Sequence, residues 1–264
     1  MKRVTFLQSD ERLASARLRN LIPFRELEKR GWERGGDTVV LSKHNWQWTN
    51  DIRHQFGRVI FDVCDDWFDS EVGEHYRHVC SIADTVTCNS PAMADRIKEV
   101  TGREAIVIDD PYEDPEQPAG MGEGVLWFGN KKGVPELHAV LDEVEYPITV
   151  VTDMKAAWAV PWSKDAQELA LEMCRCVLVP PTKMVCRSAN RAVTAIRAGR
   201  FVVAGDIPSY REIPGIWVSD DIKSGLALAM TTDTTDRIKE AQAYVRERFS
   251  PERIADQWER VLSG

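Results

Sequence analysis

The sequence predicts an α/β protein built from two doubly wound, parallel-sheet domains. Short apolar runs of strand type alternate with helical patterns from one end of the chain to the other. The alternation is interrupted once, by Asp109–Gly124 (DDPYEDPEQPAGMGEG), a stretch rich in Pro, Gly and acid that reads as an interdomain linker. It then restarts, and 264 residues are enough for two domains with ample core. Strands that alternate with helices return to the sheet in parallel, which is the basis of the fold class.

In order, Val4–Leu7 reads as a strand and Ala14–Arg30 as a helix ended by Gly31. Thr38–Ser42 and Arg58–Asp62 are strands, Glu71–Ile82 is a helix and Thr85–Cys88 a further strand. Asn89-Ser90-Pro91 starts a helix to about Val100, because Ser90 suits the cap and Pro91 the first turn. Ala105–Ile108 completes the first half. Beyond the linker, Val125–Phe128, Ile148–Thr152, Cys176–Pro180, Phe201–Ala204 and Ile216–Val218 are strands. Helices are expected over Val134–Val144, Ser163–Cys174 and Asp233–Leu262, the last broken at Ser250-Pro251.

Composition narrows the class of function. No apolar run approaches membrane-spanning length, and MKRVTFLQSDER lacks the apolar stretch of a secretory leader, so a cytoplasmic location is expected. The six cysteines form no CxxC pair and fall largely in apolar segments, which favours buried thiols over a zinc site. A net charge of −8 argues against broad nucleic-acid binding while leaving room for a local basic groove. Walker, Gly-x-Ser-x-Gly and Gly-x-Gly-x-x-Gly motifs are all missing from the sequence.

The most informative segment is Lys183–Tyr210, KMVCRSANRAVTAIRAGRFVVAGDIPSY. Ser188 suits a helix cap, with Asn190 and Arg191 in the first turn. An arginine there opposes the helix dipole unless an anion lies nearby. Free backbone N–H groups with Lys183, Asn190 and Arg191 around them suit a phosphate. Gly199 closes the helix in the left-handed conformation. Asp206 and Tyr210 then follow an apolar strand, at the end where parallel sheets bind ligands. An ordinary helix–strand unit with a solvated basic start explains the same pattern equally well.

The order of elements resembles the GT-B glycosyltransferases, most closely their family 4-type branch. SARLRNLIPFRELEKRGWE, ADTVTCNSPAMADRI, VIDDPYE, VLWFGNKKG, CRCVLVPPTK, SANRAVTAIRAGRFVVAGDIPSY and FSPERIADQWERVL carry the resemblance across nearly the whole chain. It implies two Rossmann-like domains facing a cleft: an acceptor-side domain over 1–112, a linker over 113–123 and a donor-binding domain over 124–248. A closing helix over 249–264 would cross back to the first domain. The sequence also departs from the family pattern. Where most members have paired glutamates, thirteen and five positions before Gly199, this chain has Cys186 and Thr194.

The resemblance implies transfer of a sugar from a nucleotide diphosphate-sugar to an acceptor hydroxyl, with retention and with no cofactor or metal. Lys183 and Arg191 lead as groups that meet the charge growing on the leaving diphosphate. Asn130, Lys131 and Lys132 of the GNKKG loop, Ser188, Asn190, and one of Arg17 and Arg19 supplement them; a solvated turn and a surface ion pair are the plain alternatives. Asp65 and Asp66 are candidates to orient or deprotonate the acceptor, although they suit loop capping equally well. Trp67, His44 and Trp46 are candidate acceptor contacts. The acceptor itself stays open among a glycan, a lipid-linked sugar, a small molecule and a hydroxymethylated base in DNA. A noncatalytic nucleotide- or sugar-binding module and a nucleotide-sugar epimerase are the alternatives on the same scaffold.

Overall fold

A computed structural model describes residues 2–7, 13–42 and 49–264. The chain divides into two compact units, one of residues 1–113, 186–188 and 249–264, the other of 114–185 and 189–248.

The first unit holds a sheet of β1 (Arg3–Leu7), β2 (Glu33–Ser42), β3 (Arg58–Val63), β4 (Thr85–Cys88) and β5 (Ile106–Val107), hydrogen-bonded in that order and parallel throughout. Alternate residues of the strands enter two cores. Val39, Leu41, Val59 and Phe61 pack with Tyr76, Val79, Met93 and Ile97, while Val4, Phe6, Val40 and Ile60 pack with Phe24, Leu27 and the last helix, Pro251–Ser263. This alternation follows from the two-residue period of a strand covered on both faces. The last helix contributes Ile254, Ala255, Trp258, Val261 and Leu262 to that core. Lys2–Glu259 and Arg30–Asp256 ion pairs edge it.

The second unit holds β6 (Val125–Gly129), β7 (Ile148–Thr152), β8 (Val160–Pro161), β9 (Cys176–Val179), β10 (Phe201–Ala204) and β11 (Trp217–Val218), also parallel, in the order β11-β10-β9-β6-β7-β8. Trp127, Leu178, Phe201 and Val203 share a core with Leu137, Ile222, Leu226 and Ile238.

Several local expectations change. The helix expected over Ala14–Arg30 contains a π-helical stretch, Arg17–Leu21, which turns Arg19 and Asn20 inward. β2 begins five residues before the expected Thr38, and its register against β1 shifts where Gly35 and Gly36 take φ of 107° and 89°. The helix expected over Val134–Val144 stops at His138 and resumes as a single 3-10 turn, Leu141–Glu143. Thr49–Gln55 and Ile222–Thr231 are helices that the periodicity did not signal.

The stretch read as a linker has no helix or strand, but from Asp114 it packs along the second unit. The N–H groups of Gln117, Gly120 and Glu123 donate to the carbonyls of Arg197, Gly199 and Met173 at 2.7, 3.1 and 2.8 Å. All six cysteines are buried, and none is joined in a disulfide. Burial pushes the Cys80, Cys88, Cys174 and Cys176 thiols up to about 12, which keeps them protonated and unreactive. Among the described residues, no helix is long and apolar enough to cross a membrane.

Candidate functional site

The strand order of the second sheet indicates where a ligand would bind. From β6 the chain moves outward to β7 and β8, then returns to the other side of β6 to lay down β9, β10 and β11. In open parallel sheets, ligands bind beyond the carboxyl ends of the strands at such a reversal. β6 and β9 are laddered at Val125↔Cys176 and Leu126↔Val177. The ladder stops short of their carboxyl ends, beneath the two loops that carry the basic candidates.

The loop leaving β6 is Gly129-Asn130-Lys131-Lys132-Gly133. The Asn130 side chain accepts the Lys132 N–H at 3.0 Å and starts a 3-10 turn over Lys131–Gly133. Asp153, just past β7, accepts the Lys131 N–H. The loop is thus held through its backbone, and both lysine side chains are exposed.

The loop leaving β9 carries Thr182, whose hydroxyl donates to Glu136 at 2.7 Å, and then Lys183, which is exposed and in no ion pair with a described residue. The helix that follows is Asn190–Arg197. Ala189 occupies its cap position, no side chain caps it, and its first turn contains no acid. Its opening N–H groups are therefore not met by a capping side chain, an arrangement that favours an anion.

Ser188 does not serve as the expected cap. It belongs to the first unit, where its hydroxyl bonds the Asp110 carboxyl. Arg191 sits in the first helical turn with its guanidinium 5.8 Å from the centroid of the Trp127 ring and against Gly129 and Gly133. The structure therefore brings Arg191 to the GNKKG loop. Trp127 and Asp153, which organise this corner, were not singled out from the sequence. Trp127 reads there as one more apolar strand residue, and its relation to Arg191 depends on how β6 and the later helix pack.

Beyond β10, Asp206 forms a two-pronged ion pair with Arg211 at 2.5 and 2.9 Å, which holds its carboxyl below the usual range. Tyr210 is 2% exposed, so its ring belongs to the core and is not presented to a donor sugar. Tyr210 is the buried residue of the short helix Pro208–Arg211.

The first-unit candidates divide. Arg17 pairs with Glu113. Arg19 is 1% exposed, and its guanidinium donates to both Asp62 oxygens, to Asp110 and to the Ile108 and Asp109 carbonyls. That corrects its reading as a phosphate ligand, because its donors are used inside the unit. Burial by itself lowers the guanidinium's pKa, but the adjacent Asp62 and Asp110 outweigh it and raise the pKa. Asp62 also accepts from Ser42 and Thr87, at 2.9 and 2.8 Å. Asp65 is half-buried. Asp66 pairs with Arg96 and accepts the Phe68 N–H, both at 3.2 Å, consistent with the loop-capping alternative. Trp67 packs partly buried against the first core. His44 and Trp46 lie outside the described residues. No group of three or more His, Cys, Asp or Glu able to hold a metal occurs among the described residues.

Two Rossmann-like parallel-sheet units of this build define the GT-B fold. No family profile matches the sequence, and no curated protein does. Solved structures do match. The chain is similar to HepE of Anabaena, solved with UDP and glucose, at a TM-score of 0.69 and 13% identity over 100% of this chain and 99% of that one. It is similar to S. aureus TarM, solved with fondaparinux, alpha-GlcNAc-glycerol and UDP, at 0.66 and 13%, covering 92% of this chain and 58% of that one. A UDP-forming α,α-trehalose-phosphate synthase from Burkholderia xenovorans matches at 0.60 and 12%, over 98% and 80%. At such identities the likeness establishes the fold.

Proposed function

We propose that this chain is a glycosyltransferase that moves a sugar from a nucleotide diphosphate-sugar to an acceptor hydroxyl, retaining anomeric configuration and without a metal ion. The observation that carries this reading is the convergence at the β6/β9 reversal. There Arg191, the GNKKG loop and a helix start without a side-chain cap meet at one corner of the second sheet. Such a corner suits a diphosphate, whose charge grows as the glycosidic bond breaks.

In this reading Arg191 and Lys183 meet that charge, and Asn130, Lys131, Lys132 and Asn190 hold the ground-state phosphates. Asp206 contacts the sugar, and Asp65 or Asp66 orients the acceptor. Retention follows from the family 4-type resemblance, in which a donor phosphate oxygen assists proton removal. HepE and TarM were solved with UDP and the trehalose-phosphate synthase is UDP-forming, which makes UDP the first donor nucleotide to test.

The test is a thermal-shift series with UDP, GDP, ADP, TDP, CMP and their sugar conjugates, with and without magnesium, followed by acceptor screening. One nucleotide diphosphate is expected to raise the melting temperature equally with and without magnesium. In the transfer assay, Lys183→Ala and Arg191→Ala should each lower turnover about a hundredfold with unchanged circular dichroism. No shift from any nucleotide sinks the reading. Binding without transfer or hydrolysis assigns a noncatalytic module, and product formed without an acceptor assigns an epimerase. Steeply salt-dependent transfer to hydroxymethylated DNA would place the acceptor in nucleic acid.

A further inference from the structure

We propose that Trp127 is a positioning residue: its buried ring, together with the missing side chains of Gly129 and Gly133, fixes the Arg191 guanidinium at the mouth of β6. The inference rests on the donor-site reading above and adds to it how the arginine is held.

The two glycines support it independently. Neither takes a positive φ, and Gly133 sits at φ −87°, a conformation open to any residue. Backbone freedom therefore does not explain them, whereas space does. A Cβ on Gly129 would stand 3.1 and 3.2 Å from Trp127 Cζ2 and Cη2 and 3.3 Å from Arg191 Cζ. A Cβ on Gly133 would stand 3.2 Å from Trp127 Cζ2 and 3.3 Å from Arg191 Nη2. Both glycines thus face the same two groups, the six-membered ring of the indole and the guanidinium that lies over the indole.

The indole has little room to yield. Trp127 is 0% exposed, paired in the sheet with Val150, and packed in the core of its unit. Protein interiors are close-packed, so an added methyl must displace whichever neighbour is more mobile. Here that neighbour is Arg191. A guanidinium over an indole face is also attracted electrostatically, more strongly when partly shielded from water. Held in this way, its planar fork of donors is oriented before a diphosphate arrives, and binding loses less side-chain freedom.

The test is a double-mutant cycle read by calorimetric titration of UDP, or of whichever nucleoside diphosphate shifts the wild-type melting temperature. Trp127→Phe and Gly133→Ala are each expected to weaken binding about three- to tenfold, the range a partly shielded cation–π contact commands. In an Arg191→Ala background, the same two changes should have no further effect, a coupling that a purely structural role would not produce. Should Trp127→Phe fail to fold, Gly133→Ala carries the cycle alone, since it lies on a loop. If Arg191→Ala weakens binding while Gly133→Ala does not, or the two effects simply add, the positioning role is overturned and the donor site stands. Unchanged binding in folded Arg191→Ala overturns the donor site and the positioning role together.

Discussion

Arg19 shows how burial changes the role of a charged side chain. Its sequence position, soon after the first strand, suits a ligand-facing arginine, yet it is enclosed with Asp62 and Asp110. Removing one partner of such a group leaves an uncompensated buried charge. Arg19→Ala should therefore cost roughly 3–5 kcal/mol of first-unit stability, measured by urea unfolding. A loss below about 1 kcal/mol would show that the network is not structural. A second residue-scale prediction concerns pH. Lys2, then Trp32 and Arg30, donate to Glu259 and hold its carboxyl down at about 2. Because the folded pKa lies below the unfolded one, the stabilisation is present above about 4.5 and is lost as pH falls from there through about 2. Glu259→Gln should flatten the melting temperature across that acid window relative to wild type. Identical profiles would show that Glu259 is not responsible. Neither environment was legible in the sequence, because each joins residues distant in the chain.

At the scale of elements, caps and breaks were legible where the signal is local. Ser90 accepts the Met93 N–H and Ser250 the Arg253 N–H, both at 3.2 Å, each just ahead of a proline that opens a helix. Gly199 takes φ 74°, as its place after Arg-Ala implies. The structure adds a second constraint: a Cβ there would lie 2.1 Å from the Pro118 carbonyl oxygen. Gly199→Ala should therefore destabilise the second unit by more than the ~1 kcal/mol usual for a left-handed glycine, seen as a drop in melting temperature; no drop would contradict the close approach. Ser188 is the contrary case. It has the right residue type at a plausible distance, but its hydroxyl bonds Asp110, and the helix begins after Ala189. Tertiary partners overrode a sound local preference there. In the last helix, Trp258 is 0% exposed and packs edge-on to Phe6 at 5.3 Å. Trp258→Ala should cost about 3–5 kcal/mol, measured by denaturant unfolding.

At the scale of the molecule, the last helix has a consequence for folding. Residues 249–264 follow the second unit in sequence but belong to the first. A chain ending at Arg248 would expose the apolar wall formed by Val4, Phe6, Phe24 and Leu27. Scanning calorimetry of that truncation should show the first unit's transition lowered or lost while the second unit unfolds cooperatively. An unchanged pair of transitions would show that the helix is dispensable. The GT-B fold was legible at this scale because two successive sets of alternating strands and helices leave few ways to cover both faces of a parallel sheet.

By itself, the sequence determined the fold class, most strands and the helix starts that rest on neighbouring residues. It also marked the Lys183–Tyr210 segment as the place to look. These are short-range properties, written in periodicity and in capping or turn chemistry a few residues apart. Only the tertiary structure decided which charged groups are enclosed, as Arg19 is, and which meet across elements, as Arg191 and the GNKKG loop do. Strand order, the π-helical turn at Arg17–Leu21 and the packing of Trp127 made those decisions. The reason is physical: burial and long-range contact depend on three-dimensional packing, which residue type and local spacing do not encode.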